Sequence, residues 1–581
     1  MKKFNYIFLA SMLLISCFHN TAFASVTPLT VDGVNFGGVF TLEDWFFSHP
    51  TRGHDVMTTC ANSKTGIASS QLFTGDTSKP DFNWTTETDL IQKLNDVDKY
   101  KDSEIEAIFQ RHRETYLSNW NSDPTLSNSL EKAAALGIKI VRLPITWVIQ
   151  YDKSYIIQKS DGSEQIIPAT TGKVQLIPDP FYPSKRWASI PINQLEAILK
   201  TANSKGIKII LDIHTFPGGA SDGTYNGVWP NAPKFWSVEP NIYKKNFQTI
   251  FDNLVDWAVA LKTKDPEAFA ALEGITPMNE PAHMMGNLAT AKEELNKSNN
   301  DTTKDLSKIK ICSAFDETGK KAGVTSWGAS PVDVLSTLAY AVKKFENTPE
   351  LTNNNIKLYM NIIETMYDEK TINPFQNIGT WWKSITSQNE RSKWAVLDIH
   401  HYIAWGKDCN DVFTAKQLDL TSDGQIKWKG PGYTNPVYKT DSLGDLPLYL
   451  TRIKKNDGSL SYSINEAGFT QIKACSNWFL NIRNELGLSR EDKLAASEFS
   501  AGTNADTFNS GASGVGTIVP TNFAKYRNEF LQEQVMNANK EGITAIFWTW
   551  AIPYNSNFQN EWSFSNICSG ANKALLPGIC K

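Results

Sequence analysis

Short apolar segments alternate along this chain with amphipathic segments, and most of the apolar segments end on polar residues. Examples are IKIVRLP at 138–144, IKIILDIH at 207–214 and AVLDIH at 395–400. Continuous apolar runs of this length are typical of strands buried on both faces, as in parallel sheets. We predict eight such strands, at 31–38, 138–144, 207–214, 274–281, 356–363, 395–400, 460–466 and 543–550.

The amphipathic segments between these strands predict helices, several of which end at a glycine, a common helix stop. The predicted helices are 126–136, 191–204, 235–262, 331–345, 378–385, 446–454 and 522–540. Strands that alternate with helices indicate a parallel sheet, and eight such units indicate closure into a barrel. The predicted fold class is α/β, a (β/α)8 TIM barrel with long inserted loops. We interpret 50–102, 150–180, 283–330 and 406–445 as the insertions, the first irregular and the second a hairpin.

Polar side chains at the ends of the predicted strands are the candidate functional residues, because TIM barrels carry their active sites at that rim. Two of them are carboxyl groups, Glu280 in GITPMNEP and Glu466 in SYSINEAGF, on predicted strands four and seven. The other candidates are Arg142, Asp212, His214, Asn279, Asp398, His400, Tyr402 and Trp548. Glycoside hydrolysis requires such a pair of carboxyl groups.

The motifs around these residues resemble those of glycoside hydrolase family 5, and within it those of the exo-β-1,3-glucanase group. Residues 35–45 are similar to that group's opening Asn-x-Gly-Gly and Leu-Glu-x-Trp motifs. Similar motifs follow in the family's order at 212–223, 279–281, 398–402 and 547–549. The resemblance covers most of the chain and implies a retaining glycoside hydrolase that cleaves β-glucosidic bonds, as a glucan 1,3-β-glucosidase, by double displacement.

The resemblance also implies roles for the two carboxyl groups and their neighbours. Glu280 would be the acid/base and Glu466 the nucleophile. Arg142 would keep Glu466 ionised, because a nearby cation favours the charged form of a carboxyl group. Asn279 would hydrogen-bond the 2-hydroxyl of the sugar.

The remaining candidates would bind and orient the substrate. His214, His400 and Tyr402 would orient the substrate and the nucleophile. Glu43 would accept hydrogen bonds from the hydroxyls of the terminal sugar, and Trp548 would form the floor of the same subsite. With long loops around the rim, this arrangement predicts exo attack in a pocket.

Two departures from the group leave the substrate open. Val39 stands where the group usually has Trp, and GGASDG follows Pro217 where the group tends to have Ser-Gln-Asn-Gly. The alternatives are β-1,6-glucan, mixed-linkage β-glucan, cellulose or glycolipid as substrate, or a catalytically silent carbohydrate-binding barrel. The adjacent His400 and His401 have no third ligand at zinc spacing, so we expect no metal and no cofactor.

The N-terminal residues indicate export. Lys2 and Lys3 precede an apolar run, and 22–24 (Ala-Phe-Ala) fits a signal-peptide cleavage site. We therefore expect residues 1–24 to be a signal peptide and 25–581 a single catalytic domain that is secreted, periplasmic or at the cell surface. A lipid anchor on Cys17, in LISC, is the weaker alternative.

Composition and cysteine count agree with an exported carbohydrate enzyme. The net charge of −4 predicts neither nucleic-acid nor anionic-membrane binding, and no further segment is apolar enough to span a membrane. We expect a monomer that binds an oligo- or polysaccharide. Six cysteines would remain after cleavage, which allow fifteen pairings, and Cys568 with Cys580 is the preferred local pair.

Overall fold

The computed structural model describes the parts of the chain that build one barrel and its surroundings. The described residues are 29–47, 68–117, 129–221, 224–229, 231, 233–281, 331–362, 374–402, 418–420, 426–428, 438–441, 444–447, 450–502, 521–552, 559–576 and 578–580. The predicted signal peptide at 1–24 and the insertion at 283–330 lie outside them, as does most of 406–445.

Eight parallel strands close into a barrel, which confirms the predicted fold class. The strands are β1 (Gly33–Asn35), β2 (Ile140–Ile145), β3 (Lys208–Ile213), β4 (Leu272–Thr276), β5 (Lys357–Asn361), β6 (Ala395–His401), β7 (Leu494–Phe499) and β8 (Ile543–Phe547). Each pairs with its neighbours in sequence, and β1 pairs with both β2 and β8. The C-terminal ends of all eight therefore meet at one rim.

The longer helices connect consecutive strands, as the alternating pattern predicts. They are Glu87–Asp96, Asp102–Leu117, Ser129–Ala135, Ile192–Ser204, Pro240–Lys264, Pro331–Glu346, Pro374–Ile385, Glu466–Ser476, Trp478–Glu485 and Phe523–Lys540. Among the helices of the described residues, none is long and apolar enough to cross a membrane.

Alternate residues of each strand face the helices or the barrel interior. In β3, Ile209, Leu211 and Ile213 belong to the large core shared with the helices. Ile210, between them, belongs to a small separate cluster to which β5, β6, β7 and β8 also contribute one residue each. That second cluster fills the interior, so the barrel is packed and only its rim can hold a substrate.

The seventh strand is not the predicted one. Leu460–Ile464 pairs antiparallel with Leu450–Lys454 in a separate two-stranded sheet. The predicted helix at 446–454 is therefore also wrong, because most of this segment is strand. The barrel position between β6 and β8 is taken by Leu494–Phe499, some thirty residues further along the chain.

Two insertions lie largely within the described residues. Within the first, 68–102 is not irregular as predicted, because it contains the helix Glu87–Asp96. Trp84 and Leu90 are fully buried in a third apolar cluster, separate from the large core and from the barrel interior. The second contains the predicted hairpin, in which Tyr155–Gln158 pairs with Glu164–Ile167.

The predicted disulfide between Cys568 and Cys580 is present, and Cys475 is also disulfide-bonded. A cross-link stabilises a protein mainly by restricting the unfolded chain, typically by about 2 to 4 kcal/mol.

We therefore expect dithiothreitol to lower the melting temperature of the mature protein in differential scanning calorimetry. The double variant Cys568→Ser/Cys580→Ser should have a lower melting temperature before reduction, and dithiothreitol should lower that temperature by a smaller amount. Six free thiols in the native mature protein would contradict this prediction.

Candidate active site

Arg142 lies at the centre of the rim and gathers polar groups from several strands. Its guanidinium contacts Glu498 Oε1 at 2.5 Å and Asp212 Oδ2 at 3.0 Å, and it donates to the amide oxygens of Asn35 at 2.9 Å and Asn279 at 2.7 Å. Burial alone would lower the pKa of Arg142, but the surrounding carboxyl groups raise it above its ordinary value. The guanidinium is therefore a permanent buried cation.

Glu498, near the end of β7, is contacted by donor groups on both of its carboxyl oxygens. Arg142 occupies Oε1, the Tyr402 hydroxyl donates to Oε2 at 2.6 Å, and His400 Nδ1 lies 3.4 Å from the same oxygen. One of these donor groups is a buried cation, and hydrogen bonds between charged partners are among the strongest in proteins. Sequence reasoning missed Glu498, although Ser497-Glu498-Phe499 ends an apolar run and could have indicated it.

Glu466 is not at this rim. It is exposed and is the first residue of the helix Glu466–Ser476, which follows the hairpin outside the barrel. The physical reason is local: the Asn465 side chain accepts a hydrogen bond from Gly468 N and caps the helix. The segment Ile-Asn-Glu therefore ends a strand and starts a helix, and the predicted rim position of Glu466 is wrong.

Glu280 lies four residues after β4, and its carboxyl group points toward Glu498. Its Oε1 is 2.5 Å from His400 Nδ1 and its side chain is almost fully buried. Its backbone has a φ of +36°. A non-glycine residue in this region carries about 1 to 3 kcal/mol of strain, and such strain is commonly found at functional sites.

His400 joins the two glutamates to a buried acid behind them. Nε2 lies 3.1 Å from Ser497 Oγ, which in turn donates to Asp398 Oδ2 at 2.5 Å. Burial lowers the pKa of His400, but Glu498, Glu280 and Asp398 outweigh burial and raise it to about 9. His400 is therefore protonated at neutral pH, with one N–H directed to the glutamates and the other to Ser497.

The two carboxyl groups are close enough to act on one bond. One donor atom each of Glu280, His400 and Glu498 lies within 4.8 Å of the other two. Retaining glycosidases hold their carboxyl groups about 5 to 5.5 Å apart, and inverting ones about 6.5 to 9.5 Å apart. At this rim, one carboxyl oxygen of Glu280 and one of Glu498 lie within 4.8 Å of each other.

A second group of side chains lies beside the carboxyl pair. Glu43 is buried and accepts hydrogen bonds from Trp45 Nε1 at 2.9 Å and Thr224 Oγ1 at 3.3 Å. Burial is the main reason that the pKa of Glu43 is raised to about 7, although nearby His214 and these hydrogen bonds lower it. The Trp548 ring stacks on His214 with centroids 5.8 Å apart and an interplanar angle of 6°.

Asn279 and His214 connect this second group to Arg142. His214 Nδ1 lies 2.6 Å from Asp212 Oδ2, and its Nε2 lies 3.4 Å from Asn279 Nδ2. Apart from Glu466, all the substrate-binding and catalytic residues predicted from the sequence therefore lie in one connected group at the rim.

Comparison with known families identifies the kind of enzyme. Residues 97–309 match the model described as "Cellulase (glycosyl hydrolase family 5)", over a third of the chain. This chain is a glycoside hydrolase. A search of curated proteins found no match.

Several solved structures are similar to the glycoside hydrolase. Rutinosidase from Aspergillus niger has a TM-score of 0.44 at 14% identity, covering 93% of this chain and 96% of that one. A broad-specificity endoglucanase from an uncultured bacterium has a TM-score of 0.40 at 12% identity, covering 81% and 87%. An endocellulase from the archaeon Pyrococcus horikoshii has a TM-score of 0.30 at 13% identity, covering 73% and 78%. These similarities assign no substrate to this hydrolase.

The matched segment of the hydrolase contains only part of the rim. Arg142, Asn279 and Glu280 lie inside 97–309, whereas Glu498 lies well beyond it. The family match therefore covers Glu280 but not Glu498, and the closed barrel brings these two carboxyl groups to the same rim.

Among the described residues, the atoms best placed to hold a metal ion in the hydrolase are those of Glu280, His400 and Glu498. The surrounding charges do not suit a cation: His400 is protonated at neutral pH, and Arg142 lies 2.5 Å from Glu498. A metal ligand must have a free lone pair. Protonated His400 has none on its ring nitrogens, and both oxygens of Glu498 already accept from Arg142 or Tyr402. The donor set therefore fits a proton-transfer site better than a metal site.

Proposed function

We propose that this protein is a retaining β-glycosidase in which Glu280 is the acid/base and Glu498, in place of Glu466, is the nucleophile. The observation that carries the proposal is the close approach of their carboxyl oxygens, within 4.8 Å. Glu498 lies against the permanent cation Arg142, and Glu280 lies against His400.

In the first step, Glu498 attacks the anomeric carbon while Glu280 donates a proton to the departing glycosidic oxygen. The Glu498–sugar ester then forms as the C–O bond to the leaving group breaks. In the second step, Glu280 removes a proton from water, which attacks the anomeric carbon and releases Glu498 as a carboxylate. Arg142 and Tyr402 stabilise that carboxylate, and Asn279 hydrogen-bonds the sugar 2-hydroxyl.

We propose a β-glucan as the substrate and exo attack as the mode, with exo-β-1,3-glucanase activity as the specific assignment. Glu43 would bind hydroxyls of the terminal sugar, with Trp548 beneath the ring. Hydrogen bonds made by the first insertion are consistent with a site that is closed at one end. Thr85 Oγ1 donates to the carbonyl of Trp229 at 2.8 Å, and Thr88 Oγ1 to that of Gly227 at 2.7 Å. These bonds fix part of the first insertion against the loop that contacts Glu43.

The proposal includes export. The basic residues, apolar run and Ala-Phe-Ala site at the N-terminus support cleavage after Ala24 and action outside the cytoplasm. We also propose that the protein acts as a monomer. Mass spectrometry of the protein purified from its source, with size-exclusion chromatography, tests both parts.

Product analysis tests the mechanism and the mode of attack. On laminarin we expect glucose as the sole early product, released in the β configuration in ¹H NMR spectra taken before mutarotation. Release of the α anomer would contradict the retaining mechanism. An early ladder of oligosaccharides with rapid loss of viscosity would contradict exo attack. A panel of β-1,6-glucan, mixed-linkage glucan, cellulose and glycolipid decides between substrates.

A further inference from the structure

The backbone of Glu280 is unusual among the described residues. Glu280, Lys99 and Asn355 are the non-glycine residues there with positive φ, and Glu280 alone of these lies at the rim. A glutamate seldom adopts this conformation, because its Cβ is crowded there by the adjacent backbone. The conformation therefore requires interactions that hold it.

Two buried side chains supply those interactions. The Ser221 hydroxyl donates to the carbonyl oxygen of Glu280 at 2.5 Å. The Glu280 N–H donates to the side-chain oxygen of Asn361 at 3.2 Å. Ser221 is 2% exposed and Asn361 is fully buried. Both backbone polar groups of Glu280 are thus bound by side chains from other elements, the loop after β3 and the end of β5.

The loop that carries Ser221 is itself fixed. Gly218 N donates to Asp179 Oδ2 at 2.7 Å, and Asp179 belongs to the second insertion. The Asn226 side chain donates to the Ser221 carbonyl, while its own oxygen accepts from Val228 N at 2.7 Å. Ser221 is therefore held at a defined position rather than on a freely moving loop.

We propose that Ser221 and Asn361 are positioning residues that hold Glu280 in the backbone conformation needed for proton donation. The inference rests on the proposed role of Glu280 as the acid/base. Neither residue touches the reacting atoms. Their effect is to direct the Glu280 carboxyl toward the glycosidic oxygen, and small displacements of a catalytic group can cost up to about 100-fold in rate.

This positioning role predicts a specific dependence of the rate on the leaving group. A sugar leaving group departs only when protonated, whereas 2,4-dinitrophenolate departs without help from an acid. Loss of correct positioning should therefore slow cleavage of unactivated β-glycosides and spare activated ones. A general loss of structure would slow both classes alike.

The test compares kcat/KM of Ser221→Ala and Asn361→Ala over a series of aryl β-glycosides with leaving groups of increasing pKa. For each variant we expect about a 10-fold or larger loss with the poorest leaving groups. We expect less than about a twofold change with 2,4-dinitrophenyl β-glycoside, so the Brønsted plot becomes steeper. Ser221→Thr, which keeps the hydroxyl, should restore the wild-type slope.

Two controls separate the possible outcomes. Ser237→Ala removes a hydroxyl that donates to the Lys234 carbonyl at 2.9 Å, away from Glu280, and should leave the slope unchanged. Glu280→Ala sets the slope expected for complete loss of the acid. If both alanine variants retain the wild-type slope while Glu280→Ala steepens it, the positioning role is wrong and the acid assignment stands. If Glu280→Ala does not steepen it, the acid assignment fails and this inference fails with it.

Discussion

Glu498→Gly should lower turnover of all β-glycoside substrates by about 10⁶-fold, the scale seen when a hydrolase loses its nucleophile. The glycosyl–enzyme ester cannot form without this carboxylate, and the buried guanidinium of Arg142, 2.5 Å from it, keeps Asp212 as a carboxylate contact but loses Glu498. The small glycine leaves room for azide, which should attack the anomeric carbon directly. With an activated aryl β-glycoside, the expected product is the α-glycosyl azide, identified by NMR.

Glu466 provides the matched control for this experiment. It is also a glutamate close to the end of a strand, but it is exposed on a helix outside the barrel. Glu466→Gly should therefore keep wild-type kcat and KM. If Glu466→Gly is inactive and Glu498→Gly retains activity, the nucleophile is misassigned. Circular dichroism on both variants checks that each is folded.

Glu280→Ala should lower kcat/KM for unactivated β-glucosides by about 10² to 10⁴-fold, the usual contribution of general acid–base catalysis. Activated aryl glycosides should still form the covalent intermediate, because their leaving groups need no proton. The intermediate then accumulates, since no base activates water for its hydrolysis. Azide should release it as the β-glycosyl azide, with retained configuration, and so raise kcat.

Glu280→Gln is the companion variant, because it keeps the shape and a polar contact 2.5 Å from His400 but has no acidic proton to transfer. It should be as inactive as Glu280→Ala on unactivated substrates and should not lower the melting temperature appreciably. If the Glu280 variants give an α-glycosyl azide instead, Glu280 is the nucleophile and Glu498 is the acid/base.

The apolar segments alone determined most of the barrel. IKIVRLP, IKIILDIH and AVLDIH are rich in β-branched and leucine residues, and each is long enough to cross the barrel and buried on both faces. Polar residues within the second half of such strands, or a few residues after them, lie toward the rim, since the C-terminal ends of parallel strands meet there. Arg142, His214 and Asn279 could therefore be assigned to the site from the sequence.

The sequence was misleading at the seventh strand, because two segments compete for one position. Leu460–Ile464, before Glu466, has more β-branched and aromatic residues than Leu494–Phe499, which contains two alanines. Local propensity favours the first segment. Pairing with β6 and β8 selects the second, and Ala495 suits it because that residue lies in the small cluster of the barrel interior.

The sequence by itself determined the barrel and the residue types at its rim, because both follow from local patterns of burial and polarity. Only the tertiary structure decided which second glutamate faces Glu280, because strand order around a closed barrel depends on contacts between residues far apart in the chain. The same holds for the support of Glu280. Ser221 and Asn361 lie 59 and 81 residues from it in sequence, and no local pattern relates them.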